Sequence, residues 1–344
     1  MNVGRITHHR LFWPVVALVL LIVASAIKRP SFVSIDIQDG HLYGGLINIL
    51  RGAAPLMLVA LGMTLVIATR GIDLSVGAAM AIAGAVALTQ IASAPDPTAV
   101  GTVVGAILTA LGVCLVIGAF NGFMVAVVGI QPIIATLILM TAGRGVAMLI
   151  TNAQITTVTS PPYKSIATGF TLGLPNAAWI AAIVFAATAL ITRRTALGVL
   201  IESVGINPVA SRLAGVRART IIWIVYIVCA LFAGVAGILG SSNIMAADSN
   251  NAGLFIELDA ILAVVIGGTS LAGGKFSLTG TLVGVLVIQT LSTAIVVLGV
   301  PADAVQLFKA LVVVFVCLLQ SPVVLHKLRA RRRGAAAAPV EVPA

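Results

Sequence analysis

The sequence predicts an all-α membrane protein, a bundle of about ten transmembrane helices. Composition, run length and run pattern each point that way. Of 344 residues, 60% are hydrophobic and only 9% charged, against about a quarter charged in soluble domains. So few charges cannot clothe a water-exposed surface of this size. Apolar runs long enough to cross a bilayer recur along the whole chain. The runs are continuous, whereas a barrel strand would alternate over about ten residues. The 34 glycines suit helices that approach one another closely.

Ten runs fit the roughly 17–25 residues of a crossing helix: 11–27, 45–69, 72–92, 98–120, 122–151, 176–192, 221–241, 256–270, 278–299 and 304–320. The first follows Arg5, His8, His9 and Arg10 and ends near Ala24-Ser25-Ala26, a pattern shared with cleavable signal peptides. An uncleaved first span is favoured, because the rest of the chain is membrane-bound without it. The fifth run holds Pro132 and is expected to kink there or to begin as a separate piece. The eighth is short and is expected to be broken or partly re-entrant. The longest polar stretches, 28–44, 152–175 and 193–220, are too short for an independent core. Residues 1–325 thus read as one transmembrane domain. Residues 326–344, basic and then Ala/Pro-rich, read as a disordered cytoplasmic tail. The pairs Gly101/Gly105, Gly118/Gly122 and Gly280/Gly284 have the small-xxx-small spacing of tight helix contacts.

With ten spans, one side collects Arg5, Arg10, Arg70, Arg193, Arg194, Arg212, Arg217, Arg219, Lys275, Lys327, Arg329, Arg331, Arg332 and Arg333. The other collects Lys28, Arg29, Arg51 and Lys164, together with Asp36, Asp39, Asp96, Asp248 and Asp303. The basic side is therefore cytoplasmic.

This distribution also explains the net charge of +10 without nucleic acid, since no basic patch is interleaved with aromatics. Cys114, Cys229 and Cys317 lie in apolar runs at spacings that fit no metal site and read as small buried hydrophobes. His8, His9, His41 and His326 fall outside the main bundle, and no catalytic set at a plausible spacing emerges. The stretch Gly268 to Lys275 has a faint phosphate-loop look. Thr269 stands where that motif needs glycine, and Phe276 follows the lysine in place of Ser or Thr. No metal, cofactor or nucleotide is expected on this chain.

Polar residues inside or beside the runs are the candidates for function. Arg144 and Lys309 lie within apolar runs, where a charge costs at least about 2.5 kcal/mol at mid-bilayer. Arg144 either faces a wet interior or reaches an interface, and Lys309 is expected to reach an interface. Asp73 with Ser75, and Glu257 with Asp259, open runs and are expected to cap free amides and meet the helix dipole, with solute contact as the alternative. Asn121 and Gln131 either line a path or bond across helices.

The loop 193–220 is the most informative segment. Asn207 suits an N-cap, Pro208 the first helical position and Gly215 the left-handed residue after the last turn. A short helix is predicted from Pro208 to Ala214, after a helical piece ending at Leu197 to Glu202. Such a capped element is either a docking site for a soluble motor or an ordinary connector.

Here a resemblance enters. Glu202-Ser203-Val204-Gly205-Ile206-Asn207-Pro208, with Ala210 and Gly215, resembles the ATPase-coupling loop of sugar permeases in the ribose/xylose/arabinose ABC importer family. Gly62 to Thr69 followed by Gly71-Ile72-Asp73-Leu74-Ser75-Val76-Gly77 is similar to that family's most recognisable stretch. So are Gln131-Pro132 with Ala135-Thr136-Leu137, Gly143-Arg144-Gly145, and Glu257 to Gly268 with Gly273-Gly274. The likeness covers about residues 45–320. It is nearest to galactofuranose permeases, through Asn250 to Leu254 and Ile130 to Pro132. Arg70 departs from the pattern, standing where the family usually has a small residue, and the basic tail is no family feature. The resemblance implies a non-enzymatic subunit of the bacterial inner membrane working with four partners: a cytoplasmic ATPase, a periplasmic sugar-binding protein, a second permease copy or paralogue, and lipid. Asp73, Asn121, Gln131, Arg144 and Asp259 are the candidates for lining the path. An importer of another solute, such as a nucleoside or autoinducer-type sugar, and an ion-coupled secondary transporter are the alternatives. The last would call for embedded carboxylates, and the acidic residues here sit at run ends or in loops, which counts against it.

Overall fold

The computed structural model describes residues 11–301 and 304–320, with residues 312, 313 and 315–320 described by their backbone alone. The N-terminal basic cluster, Asp303, His326, the tail 326–344 and the side chain of Cys317 lie outside the described residues.

Helices occupy every one of the ten apolar runs. They are α1 (Phe12–Lys28), α2 (Gly45–Ala68), α3 (Val76–Ala92), α4 (Val100–Phe123), α5 (Pro132–Ile150), α7 (Asn176–Arg194), α10 (Ala218–Ile244), α11 (Ile256–Ile266), α12 (Leu278–Val297) and α13 (Val305–Gln320). Three shorter helices lie between them: α6 (Pro161–Thr168), α8 (Ala196–Ile206) and α9 (Pro208–Leu213). Among the described residues, six helices are long and apolar enough for a full crossing: α2, α4 with its extension to Val128, α5, α7, α10 and α12. The expected ten crossings are therefore not reached by that criterion. At 17 residues each, α1 and α3 fall just short.

One boundary moves. Residues 122–128 belong to α4, not to the fifth run. The helix widens into a π-turn over Met124–Val128 and stops at Gly129, whose φ of +86° is left-handed. The next helix starts afresh with Pro132 at its first position, where a missing N–H costs nothing.

Of the six long apolar helices, α2 is the most enclosed, and α10, α12, α7 and α11 pack against it. Small residues allow this. A Cβ at Gly62 would lie 2.8 Å from the Cα of Cys229 on α10, and one at Gly118 would lie 2.7 Å from the Cα of Ile227. Gly122 abuts Trp223, and Gly280 and Gly284 abut Gly267 and Ala263. Of the three small-xxx-small pairs, only Gly101/Gly105 meets nothing within 4 Å.

The connections sort into two faces, in agreement with the charge count. On the basic face, the turn after α2 meets the α8–α9 loop and the segment after α11: Gly274 N donates to Ala68 O at 2.9 Å, and Arg70 Nη2 donates to Ile206 O. On the other face, β3 (Thr156–Thr157) pairs with β6 (Ala246–Ala247), and Leu42 N donates to Gly173 O at 2.9 Å. Hairpins β1–β2 (Asp36–Gln38, His41–Tyr43) and β4–β5 (Phe170–Thr171, Leu174–Pro175) sit there too, with His41 stacked on Phe170 at 4.6 Å.

Candidate functional site

Three polar assemblies and one surface element hold the candidate residues. The first lies toward the basic face, where α3 begins. Asp73 Oδ1 accepts from Ser75 N at 3.0 Å and Ser75 Oγ at 2.6 Å. Ser75 Oγ in turn accepts from Asn121 Nδ2 on α4 at 2.7 Å. The expected cap of α3 takes a different form. Ser75 already has helical φ and ψ, so its hydroxyl caps no amide of the helix and instead links α3 to α4. Asp73, Ser75, Asn121, Tyr226 and Cys229 are all buried. Asn121 Oδ1 and the Tyr226 hydroxyl have no hydrogen-bond partner among the described residues.

The second assembly lies toward the opposite face. Arg144 Nη1 donates to the carbonyls of Ser249, at 3.2 Å, and Ala252. This ties α5 to the loop between α10 and α11. The same loop is held twice more, by Ser249 Oγ on Ala147 O and by Thr151 Oγ1 with Ser249 Oγ, both at 3.0 Å. Glu257 is buried beside Arg144 and faces Gly77, where a Cβ would lie 2.6 Å from Glu257 Oε2. Asp248 orders the loop's start. Its carboxylate accepts from Asn250 N, Asn251 N and, at 2.7 Å, Asn251 Nδ2. The Asn251 amide chiefly, with the two backbone amides and the Arg144 charge, holds this carboxyl below its usual 3.8 against the upward pull of partial burial.

The third is an ion pair. Lys309 Nζ on α13 meets Asp259 Oδ2 on α11 at 2.8 Å. Lys309 lies near the start of its helix, and there a carboxylate is close enough to neutralise it. Asp259 does not cap its helix. Phe255 holds the cap position, with no side-chain cap bond.

The surface element is α8–α9. Thr195 caps α8, accepting from Leu197 N, and Asn207 Oδ1 accepts from Val209 N and Ala210 N, both at 3.0 Å. Pro208 opens α9, and Gly215, with φ +85°, closes it. Val199, Ile206, Val209 and Leu213 stand exposed, Leu213 by 87%. The exposed apolar row was not read from the sequence, because these four side chains are spread over two short helices among other apolar residues that are buried.

The five candidate path residues do not converge. Asp73 and Asn121 meet through Ser75. Arg144 and Asp259 sit in separate assemblies near the other face, and Gln131 lies exposed at the start of α5. No group of metal-ligating side chains occurs among the described residues.

The fold is that of a polytopic helical membrane protein with a capped element on its basic face. Residues 45–317 match the family described as "Branched-chain amino acid transport system / permease component". The chain is 48% identical to the galactofuranose transporter permease protein YtfT of Escherichia coli (strain K12), over 91% of each chain. It is 41% identical to the fructose import permease protein FruF of Bifidobacterium longum, over 96% of this chain and 93% of that one. It is 38% identical to the ribose import permease protein RbsC of Escherichia coli (strain K12), over 89% and 92%. No solved structure matches. The chain therefore belongs to this permease family, among its sugar ABC importer subunits: a multi-pass inner-membrane protein and not an enzyme, whose ATPase is a separate subunit.

Proposed function

We propose that this permease imports galactofuranose or a related pentose or hexose, driven by an ATPase that docks on residues 193–220. The observation that carries the docking is the α8–α9 element: capped at both helix starts, on the basic face, with Val199, Ile206, Val209 and Leu213 bare. An exposed apolar row on a water-facing loop is disfavoured unless a partner covers it. Gly205, Asn207, Pro208, Ala210 and Gly215 shape the element, Glu202 lies on α8, and the ATPase is the partner the family supplies. The sugar class rests on the relatives, and a periplasmic binding protein would deliver it to the opposite face.

A second copy or paralogue completes the path. The exposed side of α4 carries large apolar residues such as Val104, Leu108, Val116 and Phe120, as lipid requires. The exposed side of α5 mixes Gln131, Thr141, Ala142 and Gly145 among its apolar residues, and a groove at its outer end is lined by Gly145, Leu149 and Asn152. Small and polar residues favour a helix or a wet path over lipid. Gln131 then lines the passage directly. Asp73, Asn121, Arg144 and Asp259 border it through the assemblies that hold its walls. The wholly apolar groove of Leu50, Met57, Phe185 and Leu286 suits lipid tails.

The test is uptake in vesicles reconstituted with the ATPase and the sugar-binding protein. Leu213→Asp and Val209→Asp should release the ATPase on co-purification and abolish ATP-dependent uptake. Retained ATPase, or uptake that persists without ATP and collapses with an uncoupler, would refute the assignment.

A further inference from the structure

We propose that Arg70 is a positioning residue, a latch that fastens the coupling loop to the end of α2. The proposal rests on the docking role of α8–α9 given above.

Three observations carry it. First, the Arg70 guanidinium donates to the carbonyl of Ile206, the last residue of α8. Carbonyls at a helix C-terminus have no partner within the helix, and positive charge is favourable there. Second, the Arg70 backbone has φ +66°, a left-handed conformation that glycine adopts freely and a long side chain rarely does. That backbone closes α2, with Arg70 N donating to Ile67 O and Gly71 N to Val66 O, both at 2.9 Å, and from this turn the side chain reaches Ile206. Third, backbones touch around this contact. A Cβ at Gly205 would strike Ala68 O and lie 2.6 Å from Gly274 N. One at Gly273 would strike the Arg70 side chain and lie 3.1 Å from both Arg70 N and Gly205 O. Three connections therefore meet in close backbone approach, with the Arg70 and Ile206 side chains packed at the junction: the turn after α2, the joint between α8 and α9, and the segment after α11.

Geometry gives the latch its direction. Arg70 lies three residues before Asp73, whose carboxylate holds Ser75 and, through it, Asn121 on α4. A displacement of α8–α9 by the ATPase would thus be delivered to the start of α3 and on to α4. The backbone knot alone keeps the loops in place. The guanidinium adds a tie that survives when the loop is pulled.

The experiment uses the full importer in proteoliposomes, reading sugar transported per ATP hydrolysed. Arg70→Gly removes the guanidinium and leaves a residue at ease in the left-handed backbone. Arg70→Asn does the same with a side chain too short to reach Ile206, and asparagine also tolerates this region. Both variants should keep thermal stability and ATPase co-purification, and should transport about fivefold less sugar per ATP, at the low end of measured coupling effects. Arg70→Lys, which keeps a charged donor, should recover most of the ratio. A wild-type ratio in Arg70→Gly or Arg70→Asn would overturn the latch. So would a loss that Arg70→Lys shares in full, since a charged donor would then not be the cause. Leu213→Asp separates the two readings. If it leaves the ATPase bound, the docking assignment has failed. If it releases the ATPase while Arg70→Gly stays fully coupled, only the latch has.

Discussion

Lys309 and Asp259 show how single residues behave in a low-dielectric setting. Their side chains are 16% and 24% exposed. Removing either partner strands the other charge between α11 and α13. Lys309→Met is expected to lower stability by about 1–3 kcal/mol, less than the roughly 3–5 kcal/mol of a fully buried pair because water still screens this one. The double variant Asp259→Asn with Lys309→Met should recover most of the loss. Thermal unfolding in detergent across the four proteins of this cycle would measure the coupling. Gly205→Ala tests packing instead. Its new methyl would meet the Ala68 carbonyl and the Gly274 amide, and backbone cannot step aside as a flexible side chain can. Overpacking of this kind costs about 1–3 kcal/mol, readable as a lowered melting temperature. At this scale the sequence was partly legible. The pairing of Asn207 with the amides beyond it follows from local chain geometry. The pairing of Lys309 with Asp259 joins residues 50 apart, and apolar periodicity carries no trace of it.

The elements were read well where local chemistry decides them and poorly where long-range contacts do. Pro208, Asn207 and Gly215 fix α9 from within, so the predicted helix and the observed one agree within a residue at the C-terminal end. Asn207→Ala should fray α9 by about 1 kcal/mol, while Asn207→Asp, which keeps an acceptor, should not. Hydrogen exchange over residues 208–214 would report it. The loop 245–255 depends on distant residues: Arg144 and Ala147 from α5, with Asp248 at its head. Because the Asp248 carboxyl is held below its usual 3.8 when folded, its ordering of the loop is fully present above that value. The ordering is lost as pH falls through the lower folded value. Exchange protection of residues 250–255 should accordingly hold from neutral pH down to about pH 4 and collapse below it. Asp248→Asn should show weaker protection at pH 7 and a flatter acid profile. The boundary between α4 and α5 escaped the sequence for the same reason. Asn121 and Gly122 interrupt the apolar run, yet both sit in unbroken helix. Asn121 bonds Ser75 on α3, Gly122 admits Trp223 of α10, and the stop comes only at Gly129.

For the whole molecule, orientation follows from where basic residues fall, and the joining of loops on each face agrees with it. Single cysteines in a cysteine-free background would check this. Leu213→Cys should react with an impermeant maleimide only from the cytoplasmic side, and Leu172→Cys, on the β4–β5 hairpin, only from the periplasmic side. The reverse pattern would invert the docking face. The bundle's class was plain in composition, whereas the arrangement of its polar residues was not, because hydropathy averages over a helix and cannot say which helix a side chain faces. The short eighth segment bears on how the bundle is made. At 11 residues α11 is about 16 Å long, roughly half of an apolar bilayer core, and it carries Glu257 and Asp259 in its first turn. Such a segment is a poor substrate for the insertion machinery by itself. It packs along α12, the chain's next crossing helix, with Gly284 against Ala263. The two should therefore leave the translocon together as a hairpin, so that a chain truncated before residue 278 and released from the ribosome would keep its eighth segment outside the lipid.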